Sequence, residues 1–178
     1  APLPELTALA EKYGAILYVD DAHATGILGD NGGGTSEHYG CYSPTIMQMG
    51  TLSKALGAIG GFVALEREMA DVLRLTSSAY GFTCPPPPDQ ASALLAALDI
   101  LEEEPERRAR LWDNQRYFVE RMRPLGYTLT STETPIVPVL IGDAELRQQF
   151  QRALRAEGIH VDAIQQLALL WHIALLWH

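Results

Sequence analysis

Apolar positions open the chain at helical spacing. Leu3, Leu6, Leu9 and Ala10 would share one face of a helix over Pro2–Tyr13, with proline in its first turn and Gly14 to stop it. The pattern then changes. Ile16-Leu17-Tyr18-Val19 is a continuous apolar run that ends at Asp20-Asp21, and such a run reads as a buried parallel strand. A Gly-rich loop follows, with Gly26, Gly29 and Gly32 to Gly34, and it reads as a flexible connector. Thr35-Ser36-Glu37-His38 starts a short helix, with His38 as a surface or capping residue. Ile46–Met49 and Gly61–Leu65 are strand runs on either side of a small-residue turn. Glu66–Ser77 returns to helical patterning. Phe82-Thr83-Cys84 and the prolines Pro85 to Pro88 then break the chain, because proline neither continues a helix nor joins a central strand.

The second half is simpler. Ala91, Leu94, Leu95, Leu98 and Leu101 form one face of a helix over Asp89–Glu104. Pro105–Met122 is a charged helix with Trp112 and Phe118 as core anchors, and the charge run from Glu102 to Arg110 is a solvated face. Tyr127–Leu129 and Ile136–Ile141 read as strands, Ala144–Glu157 as a helix, and Gly158–Val161 as a strand. Helices leading into short apolar strands predict an α/β large domain over 1–104, and the strand, strand, helix, strand order predicts a small α+β domain over 105–164. Residues 165–178 fit neither. Leu167-Ala168-Leu169-Leu170-Trp171-His172 is nearly repeated by Ile173-Ala174-Leu175-Leu176-Trp177-His178. This tail is expected to be a truncated or artificial end that forms an apolar helix or stays disordered, with metal binding by His172 and His178 or a partner-binding tryptophan pair as the lesser reading.

Composition narrows the classes. The formal charge of -9 and the absence of a Lys/Arg cluster exclude a nucleic-acid footprint. Cys41 and Cys84 are far apart with no paired spacing, so reduced thiols are expected, without a disulfide or a metal site. No basic-then-apolar leader opens the sequence and no apolar run is long enough to span a bilayer; the expected location is the cytoplasm, away from membrane.

Two stretches carry chemistry. In Gly50-Thr51-Leu52-Ser53-Lys54-Ala55-Leu56-Gly57, one lysine sits among small residues that leave room for a bulky group, and glycines let backbone approach a ligand. A poorly solvated lysine there would lose proton affinity and become an amine nucleophile able to form a Schiff base. The competing reading is a surface lysine in a Gly-rich turn. Asp20-Asp21-Ala22-His23-Ala24-Thr25-Gly26 follows a strand, and ligands bind beyond the carboxyl ends of strands in open α/β sheets. A carboxylate, an imidazole and a lysine at strand ends suit pyridoxal phosphate, which needs a lysine for its aldehyde and an acid for its pyridine nitrogen.

These two stretches resemble the paired signatures of the α-oxoamine synthases, fold-type-I pyridoxal-phosphate enzymes that join an amino acid to an acyl-CoA with loss of CO2. Gly29 to His38 and Thr134 to Asp143 fit the same family, so the resemblance runs from residue 1 to about Ile164. The Asp-Asp-Ala-His-Ala-Thr-Gly wording is most similar to the biotin-pathway member, whose substrates are L-alanine and pimeloyl-CoA. The resemblance implies part of a fold-type-I large domain with a mostly parallel sheet, followed by a small α+β domain. It implies pyridoxal 5'-phosphate as cofactor and a homodimer with sites at the interface. Lys54 would bind the aldehyde and move protons at the substrate α-carbon. Asp20 would hold the pyridine nitrogen, His23 the 3-hydroxyl, and Thr51 would lie near the phosphate. Thr83 matches a threonine that reaches the neighbouring subunit's cofactor phosphate, although Cys84-Pro85-Pro86 departs from the family wording. Outside the resemblance, His23 could be a core histidine, Thr51 a turn cap, and Asp21 a residue that points away from the pocket and pairs locally.

The family pattern also implies sheet before residue 1 and a carboxylate-binding arginine strand in place of the repeated tail. The chain is therefore expected to carry the cofactor-anchoring half of a site, to turn over poorly alone, and to leave a sheet edge open to pairing. Other members, including glycine C-acetyltransferase, 5-aminolevulinate synthase and serine palmitoyltransferase, use the same signatures on different substrates. A helicase reading of Val19-Asp20-Asp21-Ala22-His23 fails for want of a Gly-rich Lys-Ser/Thr loop and a basic surface.

Overall fold

The computed structural model describes residues 2–164; the repeated apolar tail lies outside the described residues. The described chain divides between Ala109 and Arg110 into two compact units.

The first unit opens with α1 (Leu3–Tyr13), ended by Gly14 in the left-handed conformation. Leu3, Thr7 and Ala10 form its buried side, and the Thr7 hydroxyl is satisfied by donating to the Leu3 carbonyl at 2.8 Å. The chain continues through β1 (Leu17–Asp20), the short α2 (Thr35–Tyr39) and β2 (Ile46–Thr51) to β3 (Gly61–Ala64). β1 and β2 pair in parallel, with Leu17 beside Ile46 and Asp20 beside Met49, as a connection through α2 allows. β2 and β3 pair antiparallel across the lysine turn, from Gln48 beside Ala64 to Thr51 beside Gly61. The sheet order is therefore β1-β2-β3, with α1 packed on β1 and α2. β1 is expected to be buried, but its residues alternate half-buried and exposed, because among the described residues only β2 flanks it.

Next come α3 (Arg67–Thr76), a further turn α4 (Ser78–Gly81) that the pattern does not predict, and α5 (Pro88–Glu103), which starts on the last proline of the break. The inner side of α5 is Ala91, Leu94 and Leu101. Leu95, expected on that side, is 65% exposed, and Leu98 is also exposed.

The unit boundary falls inside α6 (Glu106–Met122). Trp112 is half-buried and Phe118 is 41% exposed, so neither anchors the core as expected. Gln115 and Val119 are buried instead, and the Gln115 amide donates to the Thr132 carbonyl at 2.7 Å. A 3-10 turn (Arg123–Leu125) ends at Gly126 and leads to β4 (Thr128–Leu129), which pairs antiparallel with β5 (Val139–Leu140). The expected strand Ile136–Ile141 shrinks to this pair because Pro138 has no N–H for the ladder. α7 (Ala144–Ala156) is capped by Asp143, whose carboxylate accepts from the Leu146 N–H at 2.7 Å. The strand expected over Gly158–Val161 does not form. The Ile159 N–H turns back to the Leu154 carbonyl at 2.9 Å, and the Val161 carbonyl accepts from the Gln151 amide at 2.8 Å. No helix among the described residues is long and apolar enough to cross a membrane.

Candidate active site

Parallel pairing decides where the site lies. β1 and β2 run the same way, so Asp20 and the residues after Thr51 leave the sheet at one edge. Side chains alternate along a strand, and paired positions of parallel strands share a face. Asp20 therefore shares a face with Tyr18 and Met49, and Thr51, two positions on, lies on it as well. The Tyr18 hydroxyl is pushed up from its ordinary pKa by burial and then by the charge of Asp20. Asp20 is exposed, and one of its oxygens accepts from the Ala22 N–H at 3.0 Å, which bends the chain sharply after the strand. The turn that follows holds the exposed His23.

The lysine turn is built from backbone. Leu52 N–H donates to the Gly60 carbonyl at 3.0 Å, Ala58 N–H to Leu52 at 2.8 Å, and Gly57 N–H to Lys54 at 3.1 Å. The Thr51 and Ser53 hydroxyls bond at 2.8 Å, and Thr51 reaches the Gly60 carbonyl at 3.3 Å. Lys54 is exposed at the tip of this turn. The sequence pattern predicts a poorly solvated lysine, but Ser53, Ala55 and Gly57 are too short to cover a four-carbon side chain.

The two stretches touch. A Cβ on Gly26 would lie 2.8 Å from that of Ala55, the residue after Lys54, and a Cβ on Gly50 would lie 2.8 Å from the Thr25 hydroxyl. Glycine at both positions lets the turn after β1 pack directly on the turn after β2. α5 touches both, with the Gln90 amide donating to the Ile59 carbonyl at 2.5 Å and Leu101 facing Gly26. Asp20, His23, Thr51 and Lys54 thus belong to one edge of the sheet. Thr83 stands apart, exposed between α4 and α5, with its N–H donating to the Tyr80 carbonyl at 3.4 Å.

Sequence reasoning missed how this edge is held. The loop Gly29–Gly34 is no flexible connector. Glu37 accepts from the Gly33 N–H at 2.7 Å, the Asn31 side chain at 2.6 Å and the Asn31 N–H at 3.2 Å. Arg108 departs from the solvated charge run and donates to the Asp30 and Leu101 carbonyls, each at 2.7 Å. For Glu37, desolvation acts upward but is outweighed by the Gly33 and Asn31 donors and the Arg108 charge, so its carboxyl lies below the usual 4.5. A folded-state pKa below the unfolded value stabilises the fold above pH 4.5, and that stability is lost as pH falls through the depressed value. Glu37→Gln should therefore lower the thermal midpoint at pH 7, and its difference from the unsubstituted chain should shrink as pH falls through 4 and below.

The loop enters α2 through Gly34, at φ 93°. A Cβ there would strike the Asp21 carboxylate and lie 2.6 Å from the Gln48 amide. Gly34→Ala should destabilise the first unit by about 1–3 kcal/mol. A thermal melt should register a fall of roughly 5–15 °C.

Residues 1–170 match the family described as aminotransferase class I and II. The chain belongs to this family. Among the curated members it resembles, 8-amino-7-oxononanoate synthase 1 of Bacillus subtilis (strain 168) is 45% identical over 164 residues, covering 92% of this chain and 42% of that protein. A Thermus thermophilus protein named 8-amino-7-oxononanoate synthase/2-amino-3-ketobutyrate coenzyme A ligase is 46% identical over 159 residues, covering 89% of this chain and 40% of that protein. The chain thus spans well under half the length of these family members. Among solved structures, a serine palmitoyltransferase from S. paucimobilis with a bound PLP–myriocin aldimine superposes with a TM-score of 0.84 at 33% identity, covering 91% of this chain and 42% of that one. 8-Amino-7-oxononanoate synthase from Francisella tularensis superposes with a TM-score of 0.79 at 30% identity, covering 88% of this chain and 48% of that one. The fold is that of the fold-type-I family members, and the described three-stranded sheet is part of it.

Proposed function

We propose that this chain carries the cofactor-anchoring part of a pyridoxal 5'-phosphate-dependent acyltransferase of the 8-amino-7-oxononanoate synthase type. The observation that carries the reading is the packing of the Asp20–Gly26 turn on the Gly50–Gly57 turn at one edge of the sheet. The donor set there fits the cofactor: a carboxylate for the pyridine nitrogen, an imidazole for the 3-hydroxyl, a hydroxyl near the phosphate and a primary amine for the aldehyde. When bound, pyridoxal phosphate supplies an electron sink for a carbanion at the amino-acid α-carbon.

The residues have distinct tasks in this reading. Asp20 keeps the pyridine nitrogen protonated, because a fixed carboxylate favours the charged partner. His23 orients the ring through its oxygen substituent. Thr51 directs the phosphate, and Thr83 contributes to the phosphate of a neighbouring subunit. Lys54 would hold the cofactor through its primary amine and would serve as the general base for the substrate α-proton. Residues 1–104 then form the cofactor-binding part, and 105–164 the small α+β part.

The substrates in this reading are L-alanine and pimeloyl-CoA, and the products are 8-amino-7-oxononanoate, CoA and CO2, as a step of biotin biosynthesis. Relatives carrying that enzyme's name at about 45% identity support it. A serine palmitoyltransferase-like choice of substrates is the second reading, favoured by the superposition at a TM-score of 0.84. In this reading the enzyme works in the cytoplasm as a homodimer. The exposed Phe62, Val72, Leu75 and Phe82 are surface that assembly would cover.

The test is spectroscopic. After addition of pyridoxal phosphate, L-alanine should perturb the cofactor absorbance at lower concentration than glycine or L-serine. A stronger response to L-serine would favour the second reading, and no response to any amino acid would overturn both.

A further inference from the structure

The two acids at the end of β1 have opposite surroundings. Asp20 is exposed on the face shared with Thr51, whereas Asp21 is 1% exposed on the other face. A buried carboxylate is costly unless its oxygens are satisfied. Asp21 meets that condition with donors from distant parts of the chain. One oxygen accepts from the Thr35 N–H at 2.8 Å and the Gln48 amide at 2.5 Å, and the other accepts from the Thr35 hydroxyl. Its own N–H donates to the Met49 carbonyl at 2.8 Å. Its carbonyl accepts from the Ala24 N–H, the Thr25 N–H and the Thr25 hydroxyl, each at 2.9 Å. Gln48 donates also to the Gly33 carbonyl at 3.0 Å, which joins the Glu37-pinned loop to the same point.

Every bond of this set bears on the position of Asp20 and His23. The carbonyl of Asp21 closes the turn that holds His23. The carboxylate fastens that turn to β2, the strand that leads to Thr51 and Lys54, and to the first residue of α2. If Asp21 lost its partners, the turn could rotate about the end of β1, and the carboxylate of Asp20 would move with it.

We propose that Asp21, Gln48 and Thr35 form a buried clamp that sets the Asp20–His23 turn against the lysine-bearing strand, with Asp21 as a positioning residue for the pyridine ring. The inference rests on the pyridoxal-phosphate reading above. It goes further in assigning the geometry of that site to a layer of side chains that never touch the cofactor.

Three variants of the full chain test it. Asp21→Asn is the conservative one: its carbonyl oxygen can accept from Thr35 N–H and Gln48, while its amide donates to the Thr35 hydroxyl. Its affinity for pyridoxal phosphate should stay within about threefold of the unsubstituted chain. Gln48→Leu keeps the volume and removes one donor to a charged acceptor, so affinity should fall about tenfold, with a shifted absorbance maximum of the bound cofactor. Asp21→Ala should fall further; if it does not fold, Gln48→Leu and Asp21→Asn decide. Amide hydrogen exchange at residues 22–26, measured without cofactor, should be about tenfold faster in Gln48→Leu and near the parent rate in Asp21→Asn. Failure of the unsubstituted chain to take up pyridoxal phosphate would sink the reading of the site, and the clamp would then be judged by exchange alone. Unchanged exchange at 22–26 in Gln48→Leu, or parental affinity and absorbance in that variant, would overturn the clamp.

Discussion

Lys54→Ala should abolish site-specific, borohydride-stable attachment of pyridoxal phosphate to the turn at residue 54, leaving at most slow labelling of Lys12, and should leave the fold unchanged. The covalent bond needs a primary amine that can shed its proton, and alanine has none. Lys54→Arg should fail equally, because a guanidinium stays protonated at any working pH. The fold should tolerate both changes. Lys54 is exposed, and its turn is held by Leu52, Ala58 and Gly57 N–H groups and by the Thr51–Ser53 hydroxyl pair. The check pairs mass spectrometry after reduction with a thermal melt. Loss of label with an unchanged midpoint is the expected result, and a fully labelled Lys54→Ala chain would remove the lysine from the site.

Asp20→Asn should weaken binding of pyridoxal phosphate roughly 10- to 100-fold, the factor that one charge-assisted hydrogen bond represents. The substitution is nearly isosteric. The Ala22 N–H bond to the side-chain oxygen survives in asparagine, so the sharp bend after β1 is retained. What would disappear is the negative charge proposed to keep the pyridine nitrogen protonated, and with it the electron-withdrawing power of the ring. The variant should therefore still label at Lys54 after reduction, yet show a cofactor spectrum that differs from that of the unsubstituted chain. Equal affinity and an identical spectrum would mean that Asp20 does not face the ring.

The parts read correctly from sequence are those encoded locally. The apolar run that stops at Asp20 announces a strand, and the glycines around Lys54 announce a turn. Both stretches are contiguous, so their wording survives without tertiary information. The clamp could not be read that way. Asp21 bonds Thr35, 14 positions on, and Gln48, 27 positions on. Nothing in the wording of either partner marks it. The absent strand at Gly158–Val161 fails for a related reason. Its apolar residues suit a strand, but their backbone groups are taken by Leu154 and Gln151 of the preceding helix. Phe118 and Leu95 are exposed because helical periodicity finds apolar faces without knowing which of them the described chain covers.

In the proposed site the Lys54 amine and the Asp20 carboxylate hold opposite ends of one pyridine ring. A crystal structure of the chain with pyridoxal phosphate bound measures this directly. The expected result is continuous density from the Lys54 Nζ to the cofactor, and an Asp20 oxygen about 2.7–2.9 Å from the ring nitrogen. A cofactor bound elsewhere, or a ring whose nitrogen faces solvent while Asp20 points away, would contradict it.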